Sequence, residues 1–204
     1  DGKRVFYDID KEEYIIDSHS SSVTSFELLK QGGGVIRKGW SASLVDMGDE
    51  VAGIEFHSVL KKELNPIDGS MLETIDFGLD WVMENNYKGL ILSGDGPNFC
   101  AGANLNMILT MASRKDWESI NNVTQLMQNI MQKIRFSNFP VIAAPYGLVL
   151  GGGFETIGAC DRIVAASESY IGLVEVGVGL IPGAGGNLRM INNLSHKMKS
   201  AMPG

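Results

Sequence analysis

The chain has 204 residues, of which 44% are hydrophobic and 20% are charged, so it can bury one substantial core. Its formal net charge of −7 argues against nucleic acid or an anionic membrane surface as the main partner. The only two cysteines, Cys100 and Cys160, lack metal-ligand spacing, and no apolar run reaches the ~20 residues that span a bilayer. We therefore expect a cytoplasmic protein that contacts neither nucleic acid nor membrane.

The first part of the chain differs in composition from the rest. Residues 1–16 are charged with scattered aromatic side chains, and 17–25 form a polar tract that is typical of a linker. A run of three glycines ends this part, so we predict an N-terminal extension over 1–35 and a main domain over 36–204. Because the chain begins at Asp1 without an initiator methionine, we interpret it as a fragment or a processed product.

The main domain opens with a predicted β-hairpin. Its apolar segments, 41–45 and 51–56, are separated by the polar, glycine-containing turn 46–50. Residues 70–85 then carry apolar side chains at helical spacing, which predicts a helix. The short apolar segment 89–93 predicts the next strand.

A long amphipathic helix is predicted over about 116–135. Its apolar side carries Trp117, Ile120, Val123, Leu126, Met127, Ile130 and Ile134. A strand over 141–144, a helix beginning near Gly152, a strand over 163–166 and a helix after Pro182 follow in that order. Strands that alternate with helices predict an α/β fold with mostly parallel strand pairing.

The segment 97–105 lies between a predicted strand and a predicted helix. Small residues at 101–103 would leave the Ala103 N–H open to an approaching ligand, although an ordinary tight loop explains them equally well. Cys100 lies in the same loop, but no histidine is close in sequence to activate it. We interpret Cys100 as a small packing residue rather than as a nucleophile.

Three consecutive glycines, 151–153, enter the helix that carries Glu155. Such a run is costly in backbone entropy and is tolerated where the main chain adopts unusual dihedrals or touches a ligand. The first turn of a helix also presents free N–H groups, which suit a developing oxyanion. Glu155 would face the same space, or it would only cap its own helix.

Glu175 is a lone acid within an otherwise apolar stretch that leads into the glycine-rich segment 182–186. It is either exposed at a turn or held with a perturbed pKa for chemistry. Two carboxylates on opposite sides of a bound substrate can divide acid and base roles. Glu155 and Glu175 are the candidates for such a pair.

Taken together, these segments resemble the crotonase, or enoyl-CoA hydratase/isomerase, family over roughly residues 40–193. Order, spacing and glycine placement all match. The motifs are Phe99-Cys100-Ala101-Gly102-Ala103-Asn104-Leu105, the stretch from Gly147 through Gly151-Gly152-Gly153-Phe154-Glu155 to Cys160-Asp161, and Glu175 through Ile181-Pro182-Gly183-Ala184-Gly185-Gly186. The resemblance implies an α/β fold built as a spiral of ββα units, with mostly parallel sheets and flanking helices.

The resemblance also implies a mechanism. The family polarises an acyl-CoA thioester carbonyl between two backbone N–H groups, which fall here on Ala103 and Gly152. Hydratases of the family use two glutamates, which match Glu155, assigned mainly to activating water, and Glu175, assigned mainly to the proton at Cα. The implied reaction is hydration of a 2-trans-enoyl-CoA to a 3-hydroxyacyl-CoA in fatty-acid β-oxidation.

Coenzyme A recognition carries over to fewer residues. Lys62 matches a lysine near the CoA phosphates, although a solvated lysine is an equal alternative. The backbone of Ala101 matches a position that lines the adenine pocket, and Gly102 and Gly151 are expected to contact the substrate. No metal is expected, and no cofactor beyond the coenzyme A of the substrate. The methionines and the isoleucine of 107–111 could line an acyl pocket.

Two departures from the family pattern stand out. The chain ends at Gly204, so we expect that the C-terminal helices, which support a trimer-based homo-oligomer and cover the site, are missing. The extension over 1–35 resembles the end of a preceding domain, for example a 3-hydroxyacyl-CoA dehydrogenase. Isomerisation or another crotonase-type reaction stays open as an alternative, as does a non-catalytic acyl-CoA-binding or assembly domain.

Overall fold

The computed structural model describes residues 5–16, 24–59 and 61–201. The strands are β1 (Val5–Asp8), β2 (Glu13–Ile16), β3 (Val35–Lys38), β4 (Ala42–Asp46), β5 (Val51–Phe56), β6 (Gly89–Ser93), β7 (Val141–Ala143), β8 (Leu148–Leu150), β9 (Arg162–Ile163) and β10 (Tyr170–Gly172). The helices are α1 (Phe26–Gln31), α2 (Gly69–Glu84), α3 (Leu105–Ser113), α4 (Trp117–Arg135), α5 (Gly152–Ala159) and α6 (Gly186–Ala201), with a 3₁₀ turn at Glu175–Val178. In these ranges, no helix is both long and apolar enough to cross a membrane.

A six-stranded sheet in the order β3-β4-β5-β6-β7-β9 forms the centre of the molecule. The predicted hairpin is confirmed: β4 pairs antiparallel with β5, with Ala42 opposite Phe56 and Asp46 opposite Ala52. From β5 onward every neighbour is parallel, because a helical crossover separates each pair of strands. The predicted α/β architecture with mostly parallel pairing is therefore confirmed.

Helix α2 covers one face of this sheet. Asp68 caps its N-terminus by accepting a hydrogen bond from Met71 N at 2.9 Å. Its buried side chains recur every three or four residues, among them Met71, Ile75, Leu79 and Val82. The helix predicted over 70–85 thus packs against β4, β5 and β6 through its apolar stripe.

Helix α4 runs beside α2 and buries only its C-terminal half. Ile130, Met131 and Ile134 lie in the core. Of the seven residues predicted on its apolar side, Trp117 and Leu126 are exposed, at 62% and 42%. Ile120, Val123 and Met127 instead line a cavity.

A second, two-stranded sheet pairs β8 parallel with β10 and places the glycine-rich turn before α5. Both strands are three residues long, too short to show a periodicity in the sequence. The strand predicted over 163–166 is wrong in extent. Only Arg162–Ile163 pairs with β7, as an exposed edge strand, because β7 itself ends at Ala143.

The N-terminal part contains a β1–β2 hairpin and α1, which were not predicted. Phe26 of α1 is buried, and Lys30 of α1 contacts both carboxylate oxygens of Glu55 on β5 at 2.8 Å. The predicted linker falls largely on residues 17–23, which lie outside the described ranges. The domain division near residue 35 stays a prediction.

Candidate active site

Two asparagines hold together the loops that precede the site. The buried amide of Asn65 accepts from Ser58 N at 2.8 Å and donates to Asn98 O at 2.8 Å. Asn98 in turn accepts from Leu148 N at 2.7 Å, at the start of β8. Because three separate segments converge on these amides, the loop 97–104 is fixed in place before any ligand arrives.

The Ala103 N–H points away from its neighbouring segment. Ile67 forms a parallel bridge with Ala103 in which Gly102 O accepts from Ile67 N at 2.8 Å and Asn104 N donates to Ile67 O at 3.2 Å. In such a bridge the central N–H is directed to the other side. Within the described residues, Ala103 N donates to no backbone or side-chain acceptor.

Gly151 and Gly152 face this N–H from the start of α5. Gly151 has φ +52° and ψ −119°, a conformation that L side chains rarely adopt, and Gly151 N donates to Gly172 O at 2.9 Å. Gly152 begins the helix, so its N–H has no acceptor one turn earlier. A Cβ built on Gly152 would lie 3.7 Å from Ala103 N, so the start of α5 lies close to the Ala103 N–H.

These groups open on a cavity of about 240 Å³. Backbone of 101–103 and 151–152 forms one wall, and both Glu155 and Glu175 reach it. The remaining lining is apolar and comes mainly from Leu105, Ile108, Ile120, Val123, Met127, Val178, Leu180 and Ile181. A mostly apolar pocket with a few convergent polar groups is the usual form of a small-molecule site.

Glu155 is held by backbone donors from the far side of the cavity. It is 3% exposed, and its Oε1 accepts from Ala184 N at 2.8 Å and from Gly186 N at 2.9 Å. Burial raises its pKa above the ordinary value, the two N–H donors oppose that rise, Glu175 adds to it and Arg189 opposes it. Glu155 does not cap its own helix but contacts the first residue of α6.

Glu175 begins the 3₁₀ turn and is half-buried. Its Oε1 would lie 3.4 Å from a Cβ built on Gly151, so the carboxylate sits against the glycine turn. Its Oε2 is buried and has no hydrogen-bond partner within the described residues. Glu175 therefore lies at a turn, as the first alternative from the sequence states, but it is only partly exposed there.

The structure brings together all but one of the predicted site residues. Glu155, Glu175, Ala103, Gly152, Ala101, Gly102 and Gly151 line the same cavity. Lys62 is exposed and lines a separate groove with Trp40 and His57. The assignment of Lys62 to the CoA phosphates therefore gains no support from this cavity and stays a prediction.

Two details of the surroundings refine the sequence analysis. Ile108 of α3 lines the cavity, whereas Met107 and Met111 face a different groove. Cys100 is fully buried, and burial raises the pKa of its thiol to about 12. The thiol is therefore protonated near neutral pH, as expected for a packing residue.

The sequence analysis missed the side chains that hold this site from outside. Gln128 of α4 donates to Gly183 O at 2.7 Å, and Arg189 of α6 donates to Ala184 O at 2.7 Å. Together with Asn65 and Asn98, they support main-chain segments rather than facing the cavity. Nothing in their local sequence marks them, because their partners lie up to 55 residues away.

The sequence and fold of the chain match a known class of proteins. A family model described as enoyl-CoA hydratase/isomerase matches residues 47–203, and the chain belongs to that family. Solved enoyl-CoA hydratases share the crotonase fold of this chain. The enzyme from Bacillus anthracis is 31% identical with a TM-score of 0.67, over 74% of this chain and 57% of that one. The enzyme from Thermoplasma volcanium is 29% identical with a TM-score of 0.67, over 75% and 59%.

Similar curated proteins are much longer than this chain. A protein of Bacillus subtilis described as a probable 3-hydroxyacyl-CoA dehydrogenase is 46% identical over 191 residues, which is 93% of this chain and 23% of that protein. The fatty acid oxidation complex subunit alpha of Aliivibrio fischeri is 34% identical over 137 residues, or 65% and 20%. The chain thus spans about a quarter or less of the length of these relatives.

Proposed function

We propose that this chain hydrates 2-trans-enoyl-CoA thioesters to 3-hydroxyacyl-CoA thioesters. One observation carries the proposal: two carboxylates from separate elements, Glu155 and Glu175, line a single cavity with the N–H groups of Ala103 and Gly152. A binding domain needs no such pair of acids. An enzyme that adds water across a double bond needs both a base and a proton donor.

In the proposed reaction the thioester oxygen accepts hydrogen bonds from Ala103 N–H and Gly152 N–H. Negative charge grows on this oxygen as water attacks Cβ, so fixed donors in an apolar cavity act most strongly on the transition state. The free N–H groups at the start of α5 add the positive end of the helix dipole. The apolar wall formed by α3, α4 and the 3₁₀ turn receives the acyl chain.

The two acids divide the proton transfers. Glu155 takes a proton from the water whose oxygen bonds to Cβ, and Glu175 gives a proton to Cα of the enolate. One proton enters the pair and one leaves it, so the pair ends with the number of protons it began with. A pKa raised toward neutrality by burial suits Glu155 to this role, because a base is most effective near its operating pH.

The test is a direct assay of the protein at its full natural length. With a 2-enoyl-CoA, we expect loss of the absorbance of the conjugated thioester and a product that is heavier by one water. Stable absorbance together with conversion of a 3-enoyl-CoA would show an isomerase instead. Binding of both thioesters without conversion of either would show an acyl-CoA-binding domain.

We further propose that the chain works beside a 3-hydroxyacyl-CoA dehydrogenase. The longer Bacillus subtilis relative is described as such an enzyme, and hydration yields the alcohol that such an enzyme oxidises. In the full-length protein, addition of NAD⁺ with a 2-enoyl-CoA should give NADH without added dehydrogenase. Formation of NADH only after a separate dehydrogenase is added would contradict this arrangement.

A further inference from the structure

The loop 182–186 is the support for Glu155. Its inward N–H groups, from Ala184 and Gly186, both donate to Glu155 Oε1 at 2.8 and 2.9 Å. Its outward carbonyls accept hydrogen bonds from side chains of two helices. Gln128 of α4 donates to Gly183 O and Arg189 of α6 donates to Ala184 O, each at 2.7 Å. The position of the carboxylate is therefore set by the side chains that hold this loop.

Arg189 is placed for this contact by two glycines. Its stem passes over Gly158 of α5, where a Cβ would lie 4.0 Å from Arg189 Cδ. Its guanidinium packs on Gly185, where a Cβ would lie 3.1 to 3.4 Å from the guanidinium atoms. Since Gly185 has φ +98°, that position also favours glycine over residues with a side chain.

The charge of Arg189 also reaches Glu155. Arg189 opposes the rise in the pKa of Glu155 that burial and Glu175 produce. Burial lowers the pKa of Arg189 itself, while Glu155 and Cys160 raise it and the nearby Arg135 lowers it. An arginine keeps its charge in a protein, so it acts as a fixed cation behind the carboxylate.

We propose that Arg189 is a positioning residue for the proposed hydration. Its guanidinium donates to Ala184 O and so fixes the loop whose N–H groups hold Glu155, and its charge favours the ionised form of the Glu155 carboxylate. Gln128 supports the same loop through Gly183 O but brings no charge. The expected effect on kcat rests on the proposed function, whereas the support of the loop 182–186 by Arg189 rests on the geometry alone.

The experiment compares Arg189→Gln and Arg189→Lys with the wild type in the full-length protein, over a range of pH. For Arg189→Gln we expect kcat to fall about 10- to 100-fold, with KM changed less than about threefold, because a small misplacement of a catalytic group has that effect. The acid limb of the pH profile of kcat should move to higher pH, since a base with a raised pKa is already protonated at a higher pH. Arg189→Lys keeps the charge but not the planar fork, so its kcat should fall while its acid limb stays in place.

Arg114→Gln is the matched control. It removes an exposed arginine at the C-terminal end of α3 whose side chain makes no hydrogen bond or ion pair with the loop, so kcat and its pH profile should be unchanged. Wild-type kcat and acid limb in Arg189→Gln would overturn the inference. If Arg189→Gln does not fold, Arg189→Lys decides, and an unchanged kcat in that variant would overturn it equally.

An infrared titration separates this inference from the proposed function. The Glu155 carboxyl band, identified by its loss in Glu155→Gln, should titrate at higher pH in Arg189→Gln than in the wild type. An unchanged titration would overturn the support by Arg189 whatever the activity is. If the titration shifts but the protein does not hydrate enoyl-CoA, the role of Arg189 in supporting Glu155 stands and the hydratase proposal is refuted.

Discussion

At the scale of single residues, Glu155 and Glu175 differ mainly in what surrounds their oxygens. Glu155 is buried and holds two backbone N–H donors on one oxygen, whereas Glu175 keeps one buried oxygen without a partner among the described residues. Environments that differ in this way allow two carboxylates to take different roles at one pH. In the proposed reaction Glu155 is the base and Glu175 is the proton donor.

Glu155→Gln and Glu175→Gln should each lower kcat by about 10²- to 10⁴-fold, because each removes an acid–base group. Thioester binding should persist, since neither change alters the size of the cavity. Steady-state kinetics and equilibrium titration with an unreactive acyl-CoA measure the two effects. Glu73→Gln, an exposed site on α2, is the control, and unchanged turnover in both variants would refute the assignment.

Gly152→Ala should abolish turnover by filling the space beside the Ala103 N–H. The added Cβ would lie 2.7 Å from Met127 Cε and 3.7 Å from Ala103 N. Adding Met127→Ala relieves the contact with Met127 but leaves the methyl beside Ala103 N. We therefore expect the double variant to regain stability while its kcat/KM stays at least about 100-fold low, as when an oxyanion donor is lost.

Thermal unfolding and initial rates measure these two consequences separately. Gly69→Ala is the control, since a Cβ at this helix start meets no atom within 4 Å. Recovery of activity in the double variant would show that the contact with Met127, and not blocked access to the Ala103 N–H, causes the loss of activity in Gly152→Ala.

At the scale of elements, α4 shows how one helix can serve both the core and the site. Ile120, Val123, Thr124 and Met127 lie at i, i+3, i+4 and i+7, so they share one face, and all of them line the cavity. Over the next two turns the same helix buries Ile130 and Ile134. The acyl wall is therefore a continuation of the core-facing stripe.

Val123→Phe should shorten the acyl pocket. The larger ring fills space in a cavity of about 240 Å³, so kcat/KM for a ten-carbon enoyl-CoA should fall at least about tenfold relative to a four-carbon one, as steric exclusion requires. Leu126→Phe, on the exposed side of α4, is the control and should leave the ratio unchanged. An equal loss for both chain lengths would place the acyl chain elsewhere.

Elements with a long periodic pattern could be predicted from the sequence, and short ones could not. The apolar stripe of α2 and the two apolar segments around the polar turn of the β4–β5 hairpin predicted the right elements at nearly the right bounds. β8 and β10 consist of three residues each, and their pairing depends on the turn at Gly151, so neither has a local signal. Val164 follows β9 at the edge of the sheet and is apolar, yet it is 66% exposed although its N–H donates to Ala143 O at the end of β7.

Those residues of the site whose type is unusual for their surroundings could be predicted from the sequence. Glu155, Glu175 and the glycines of 151–153 stand out because acids and glycine runs are unusual in apolar segments. Arg189 and Gln128 do not stand out, since an arginine or a glutamine on a helix is ordinary. Their contacts with the loop 182–186 come from tertiary packing, which a single sequence does not display.

At the scale of the whole molecule, α1 is joined to the central sheet by a largely buried ion pair. Glu55 is 4% exposed, and Lys30 contacts both of its oxygens at 2.8 Å. Glu27 N donates to Asp95 at 2.8 Å near the end of β6. Helix α1 thus packs on the central sheet.

Lys30→Met should lower the free energy of unfolding by about 2 kcal/mol, because it leaves a buried carboxylate without its cation. That value is below the full cost of breaking a buried pair, since the Lys30 side chain is 33% exposed. Urea titration measures the change. Lys88→Met breaks an exposed pair with Glu50 and should change the free energy of unfolding much less; equal effects would contradict the role of the buried pair.

The central claim is that Glu155 and Glu175 divide acid and base roles on a thioester held by two N–H groups. Exchange of the Cα protons of a saturated acyl-CoA with solvent deuterium, followed by mass spectrometry, tests it directly because no water needs to add. We predict exchange in the wild type, nearly unchanged exchange in Glu155→Gln, and a loss of at least about 100-fold in Glu175→Gln. Exchange at the wild-type rate in Glu175→Gln would contradict the account.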